Sequence, residues 1–364
     1  MKSLIGKRLK AARQQAGLTQ QQLSTRLGFN DRQTLAAIES GKRKVSADEL
    51  LLVMQTLNRD LEYFTDPFRL DGEGSFSWRT SSAESVELID EFESWAGRCL
   101  ALYRNLATQE DVWTYPLRLS LTTKSSYEDA HRAAEWLVNE WELGDIPAVK
   151  LEEAVSERLR ALVLYIDPPE GISGAAFKLP ELSAILINRN EPAGRRSFDL
   201  AHELFHLLTW DTIKPDHSEY RDESNKKKRG EQLANCFASA LLMPEGILRS
   251  WWEQAPHDNE TEWRSWVIES ANRLHVTVLA LLWRFIQLEM LDKNTVIESE
   301  YWSAIHGPED DIPQRFSMDF MKTLSQGFEE GRISVRRAAA LVDLSIDDLA
   351  DLFREHSLEV PFDI

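Results

Sequence analysis

The segment His202-Glu203-Leu204-Phe205-His206 constrains this chain more than any other stretch of its 364 residues. Two histidines four apart lie just over one helical turn from each other, so both imidazoles project from one face. Neutral imidazoles at that spacing suit a tetrahedral zinc ion. Glu203 is offset by about 100° around the same helix. It cannot easily bind the same ion, but it can reach a water beside it and act as a general base, the catalytic residue of a zinc-dependent hydrolase. The surrounding run supplies a wide apolar face: Phe198, Leu200, Ala201, Leu204, Phe205, Leu207 and Leu208. A catalytic zinc site takes three protein ligands and keeps the fourth position open. No later histidine follows in the spacing of a third-histidine site. Glu231 is the best third candidate, because it leads a helical stripe of Ala234, Asn235, Ala238, Leu241 and Leu242. A carboxylate heading an otherwise apolar stripe is costly to bury without a partner. It could also simply favour the dipole of a helix first turn. Asn235, one turn on, reads equally as support for the site or as a packed polar residue.

The flanking pattern predicts the elements that carry these residues. Arg160 to Ile166, Ala175 to Lys178 and Ala184 to Asn188 read as strands. Helices are expected from about Arg195 to Trp210, from Glu231 to Met243 and through 260–293. The strand Ala184 to Asn188 offers an edge along which a peptide could lie as an added strand. The polar stretch from Asp211 to Gly230, with Lys226, Lys227, Lys228 and Arg229, reads as a solvated loop or a lid. His217, Tyr220, Arg221 and His257 are candidates by type for stabilising an oxyanion.

The run INRN…RRSFDLAHELFHLL…EQLANCFASALLMP resembles the ImmA/IrrE family of bacterial metallopeptidases over about residues 126–290. The resemblance implies zinc as cofactor, held by His202, His206 and Glu231, with Glu203 as base in a gluzincin-like endopeptidase. It also implies a protein substrate, most commonly a DNA-binding repressor.

A second signal lies upstream. Thr19 caps a helix with Leu23 and Leu27 facing inward, and Gly28 makes a turn. Leu50, Leu51, Met54 and Leu57 are expected to close the core. The stretch from Gly17 to Arg43, GLTQQQLSTRLGFNDRQTLAAIESGKR, resembles the helix-turn-helix of the phage-repressor-like (Xre) family. Its second helix, about Asp31 to Ser40, would enter the major groove of double-stranded DNA. Asn30, Arg32, Gln33 and Thr34 could then meet base edges, and Lys42, Arg43 and Lys44 could hold phosphates. One departure weakens those positions: nine residues separate Gly28 from Ile38, where the usual pattern has eight. The charge distribution agrees with a nucleic-acid role confined to the head. Residues 1–68 hold 11 Lys+Arg against 7 Asp+Glu, whereas the whole chain carries -18. A homodimer would strengthen the modest positive balance.

The expected architecture is α+β and mainly helical. It comprises a five-helix helix-turn-helix domain (1–68), a linker and connecting helices (69–125), a zincin-like peptidase domain with a small sheet (126–295) and a C-terminal helical module (296–364). The Gly- and Ser-rich stretch from Gly72 to Ser82 reads as linker, and Leu88 to Leu106 as the connecting helix. Ile333 to Phe353 reads as two capped helices. Asp347 and Asp348 at the start of the second would repel phosphates, so the tail is expected to pack rather than to read DNA. Two cysteines and no apolar run of membrane length fit a cytoplasmic chain. The expected role is a DNA-binding regulatory zinc peptidase. The alternative is a non-proteolytic regulator or antitoxin whose zinc domain senses a ligand or partner.

Overall fold

The computed structural model describes residues 2–70, 73–80, 84–107, 117–220, 229–292, 302 and 312–363. The head holds five helices: α1 (Lys2–Gln15), α2 (Gln20–Arg26), α3 (Arg32–Glu39), α4 (Ala47–Leu57) and α5 (Leu61–Thr65). Capping residues start them where the sequence places hydroxyls and carboxylates. Thr19 and Gln22 form a capping box, as do Ser46 and Glu49, and Asp31 accepts from the Thr34 amide. Gly28 turns the chain between α2 and α3 at φ 66°, where a side chain would be strained. Leu9, Leu23, Leu27, Leu35, Ile38, Val53 and Phe64 fill the core. Leu51 is a correction: it is 55 % exposed, and Val53 takes the inward position on α4. A buried pair, Arg13 and Glu39 at 2.6 Å, ties α1 to α3.

The rest of the chain is organised on a five-stranded sheet: β1 (Ser75–Thr80), β2 (Ala161–Ile166), β3 (Ile172–Lys178), β4 (Ser183–Asn188) and β5 (Ser218–Tyr220), in the order β2-β4-β3-β1-β5. β2 and β4 are parallel, β3 is antiparallel to β4 and to β1, and β5 runs parallel to β1. Two expectations change here. Residues 75–80, read as linker, form a full strand, because Phe76 and Trp78 alternate with Ser77 and Arg79 and bury their rings. The strand Ala184 to Asn188 is interior, paired on both sides, so its backbone is not free to align a peptide.

Strand alternation divides the core. Val163, Ala176, Ile185 and Ile187 face a helical layer of α7 (Tyr127–Glu140), α8 (Ala148–Leu159), α9 (Ala193–Thr209) and α10 (Arg229–Leu242). The same core continues into α11 (Glu245–Trp252), α12 (Glu260–Arg273) and α13 (Val278–Gln287). Leu162, Leu164, Ala175, Phe177 and Leu186 face the other way, onto α6 (Glu84–Leu106). The tail helices α14 (Met318–Glu329), α15 (Val335–Leu341) and α16 (Ile346–Glu355) join that second core through Phe320, Leu324, Leu349 and Phe353. Ser334 and Ser345 cap the last two, as expected. The acidic start of α16 thus belongs to a helix packed into that second core. Among the described residues, no helix is long and apolar enough to cross a membrane.

Candidate metal centre

α9 carries the histidine pair through the middle of the first core. Its first turn is seated by Gly194, where a Cβ would come within 2.5 Å of the Val276 backbone carbonyl carbon. From Asp199 to Thr209 every residue of the helix is buried. Helical spacing brings the two rings to a centroid distance of 4.8 Å, with their Nε2 atoms 3.0 Å apart. α10 crosses α9 and presents Glu231 from its first turn. One carboxylate oxygen lies 3.2 Å from His202 Nε2 and the other 3.3 Å from His206 Nε2. All three ligand atoms fall within 4.8 Å of one another, with the histidines buried and Glu231 half-buried.

The electrostatics suit a cation at this point. Burial first, then the nearby Arg79 guanidinium, lowers the His202 pKa, with Glu231 opposing. Burial pushes His206 down to about 3, again against Glu231. Both imidazoles are therefore neutral near pH 7, the form that ligates a metal. Glu203 is 1 % exposed, and neither of its carboxylate oxygens has a hydrogen-bond partner. Burial raises its pKa well above the usual carboxylate range; Arg79 opposes, while Glu231 and Asp199 reinforce. A buried carboxyl with no partner beside two neutral imidazoles and a carboxylate has the donor set of a hydrolytic divalent-metal site, so the residues fit such an ion.

Sequence reasoning missed two residues here. Asp199, one turn before Glu203, is fully buried and accepts from Arg79; Arg195 Nε lies 3.5 Å from its second oxygen. Arg79 arrives from β1 with 4 % exposure, its guanidinium 5.6 Å from the Phe198 ring centroid. The alternation Phe76-Ser77-Trp78-Arg79 was the available signal, obscured by the glycines and serines around it. Asn235 opens onto a separate cavity of about 400 Å³, together with Tyr127, Glu128, His131, Gln232, Cys236 and Gln287. Of the oxyanion candidates, His217 sits 2.7 Å from Glu93 and is 55 % exposed. His257 Nε2 lies 2.9 Å from the Trp252 carbonyl oxygen. Arg221 and Lys226 to Lys228 lie outside the described residues, as does the Tyr220 side chain.

In the head, Asn30, Arg32 and Gln33 are exposed at the start of α3, and Thr34 is half-buried. Lys42 and Lys44 are exposed. Arg43 places both terminal nitrogens on Glu49, at 3.1 and 2.8 Å, so its charge is shared with a carboxylate.

Comparison with known families agrees with both regions. Residues 157–285 match the family model described as the IrrE N-terminal-like domain, peptidase family M78, and residues 9–64 match the helix-turn-helix family model. No curated protein and no solved structure matches the chain. The chain therefore joins an N-terminal helix-turn-helix domain of Xre type to an IrrE N-terminal-like domain of a metallopeptidase family.

Proposed function

We propose that this protein is a DNA-binding regulatory zinc metalloendopeptidase that cleaves a protein substrate, a transcriptional repressor. The observation that carries the reading is the convergence of His202, His206 and Glu231 beside the buried, unpartnered Glu203. The two histidine Nε2 atoms and the Glu231 carboxylate would hold the ion. When bound there, a zinc ion would supply Lewis acidity toward a scissile carbonyl and a water. Glu203 takes the proton of the attacking water on a carboxylate oxygen and passes it to the leaving amine nitrogen. α3 of the head would read DNA through Asn30, Arg32, Gln33 and Thr34, with Lys42, Arg43 and Lys44 on phosphates. That would bring the peptidase to a DNA-bound substrate.

The test is mass spectrometry of cells carrying the intact protein or Glu203→Gln, with zinc content measured on both purified proteins. Repressor fragments should appear only with the intact protein. If Glu203→Gln keeps zinc and its full biological effect, the peptidase reading falls. A non-proteolytic regulator or antitoxin that senses a ligand or partner then takes its place. The near-complete burial of His202, Glu203 and His206 favours that second reading.

A further inference from the structure

β3 is the strand that borders the candidate site. Its Ala176 shares the first core with α9, the helix that carries Glu203. A peptide whose scissile carbonyl is to lie beside this site has one natural berth, the side of β3 away from β4, where backbone hydrogen bonds extend the sheet. The other side is already paired to β4.

That berth is filled by the chain itself. β1 lies antiparallel along β3, with Ser75 opposite Lys178, Ser77 opposite Ala176 and Arg79 opposite Gly174. The Trp78 amide donates to the His217 carbonyl on the far side, so by alternation the Ser77 and Arg79 amides turn toward β3. Ser77 and Arg79 are 1 % and 4 % exposed, and Arg79 reaches Asp199 on the histidine-bearing helix. β1 also precedes the segment that matches the peptidase family: β2, β3, β4, α9 and α10 all fall within residues 157–285, and β1 does not. His202, Glu203 and His206 are each about 1 % exposed with β1 in place.

We propose that β1 is an internal strand occupying the peptide-binding edge of β3, an autoinhibitory contact that a substrate strand must displace. The inference rests on the peptidase reading for what the edge would bind, but access to the site can be measured without catalysis. Ser77→Pro removes a ladder amide and should free β1. Ser75→Cys with Lys178→Cys should lock it, since such hydrogen-bonded cross-strand pairs have Cα atoms about 5.5 Å apart, within disulfide range. The first readout is diethyl pyrocarbonate labelling of His202 and His206 in zinc-free protein, followed by mass spectrometry. Hydrogen exchange of the β3 amides monitors release of the strand. The second readout is hydrolysis of dye-labelled casein by the zinc-loaded protein.

Labelling should be at least tenfold faster in Ser77→Pro than in the intact protein. In the oxidised double-cysteine protein it should stay slow and recover on reduction. Casein hydrolysis should follow the same order and be lost on adding Glu203→Gln. Equal labelling in the oxidised and reduced forms overturns the proposal, even if Ser77→Pro fails to fold. Released β3 amides with unchanged labelling overturn it too. Faster labelling without any casein hydrolysis upholds the displaced strand and counts against the peptidase reading instead.

Discussion

Asp199 and Glu203 occupy successive turns of α9, both carboxylic and both sealed from water, and their surroundings differ sharply. Asp199 lies between two guanidinium groups, Arg79 and Arg195. Glu203 has no hydrogen-bond partner for either oxygen, and its pKa is driven up by burial. A buried charge that is compensated fastens an element in place. An uncompensated one is a poor choice for stability and a good one for moving protons. The helix thus divides its labour by turn: the first holds β1 against the sheet, the second carries the proposed general base.

The two carboxyls differ most in their expected effect on activity. Glu203→Gln should lower hydrolysis by about 10²–10⁴-fold, the usual worth of a positioned general base. It should leave the melting temperature of the zinc-free protein unchanged or higher, because an amide escapes the cost of neutralising a buried carboxylate. Asp199→Asn should do the reverse, costing about 3–5 kcal/mol in urea denaturation by stranding Arg79. If the two substitutions destabilise equally, the contrast between the turns is lost. Glu73 sharpens the point. Its side chain is 4 % exposed and bridges Arg8 of α1 to Arg104 of α6, two residues before β1. Glu73→Gln should cost about 3 kcal/mol, near the lower end of the same range, and should raise hydrogen exchange along β1.

The smallest effect concerns an exposed pair. The hydrogen bond to Glu93 raises the His217 pKa above its usual 6.5. A raised folded-state pKa means the contribution is complete below 6.5 and fades as pH climbs through the folded value. Protection of the Ser218–Tyr220 amides should therefore decline as pH rises from below 6.5 to well above it. His217→Gln should flatten that profile. A steep profile in His217→Gln would point to another titrating group.

The sequence was most legible where one rule acted alone. The spacing of His202 and His206 needed only helical geometry, and Glu231 was conspicuous as a carboxylate heading an apolar stripe. The head was equally readable, because Thr19, Gly28 and Asp31 each satisfy a local backbone need. β1 was hidden because its polar residues face a buried ionic site rather than water, so Ser77 and Arg79 looked like linker composition. The same long-range pairing hid Asp199, whose partner lies 120 positions upstream. The interior position of β4 was equally invisible, since a short apolar strand reads alike whether one side or both are paired.

The order of the strands has a consequence for how the protein is made. Residues 75–80 leave the ribosome before residues 172–178, and chains fold from the N-terminus as they emerge. When β3 is finally synthesised, its covering strand is already waiting beside a folded head. An unprotected sheet edge invites pairing with other nascent chains. β3 would not have to display one, and on the proposed reading the protein would be born silent, a zymogen whose pro-segment is never cut away.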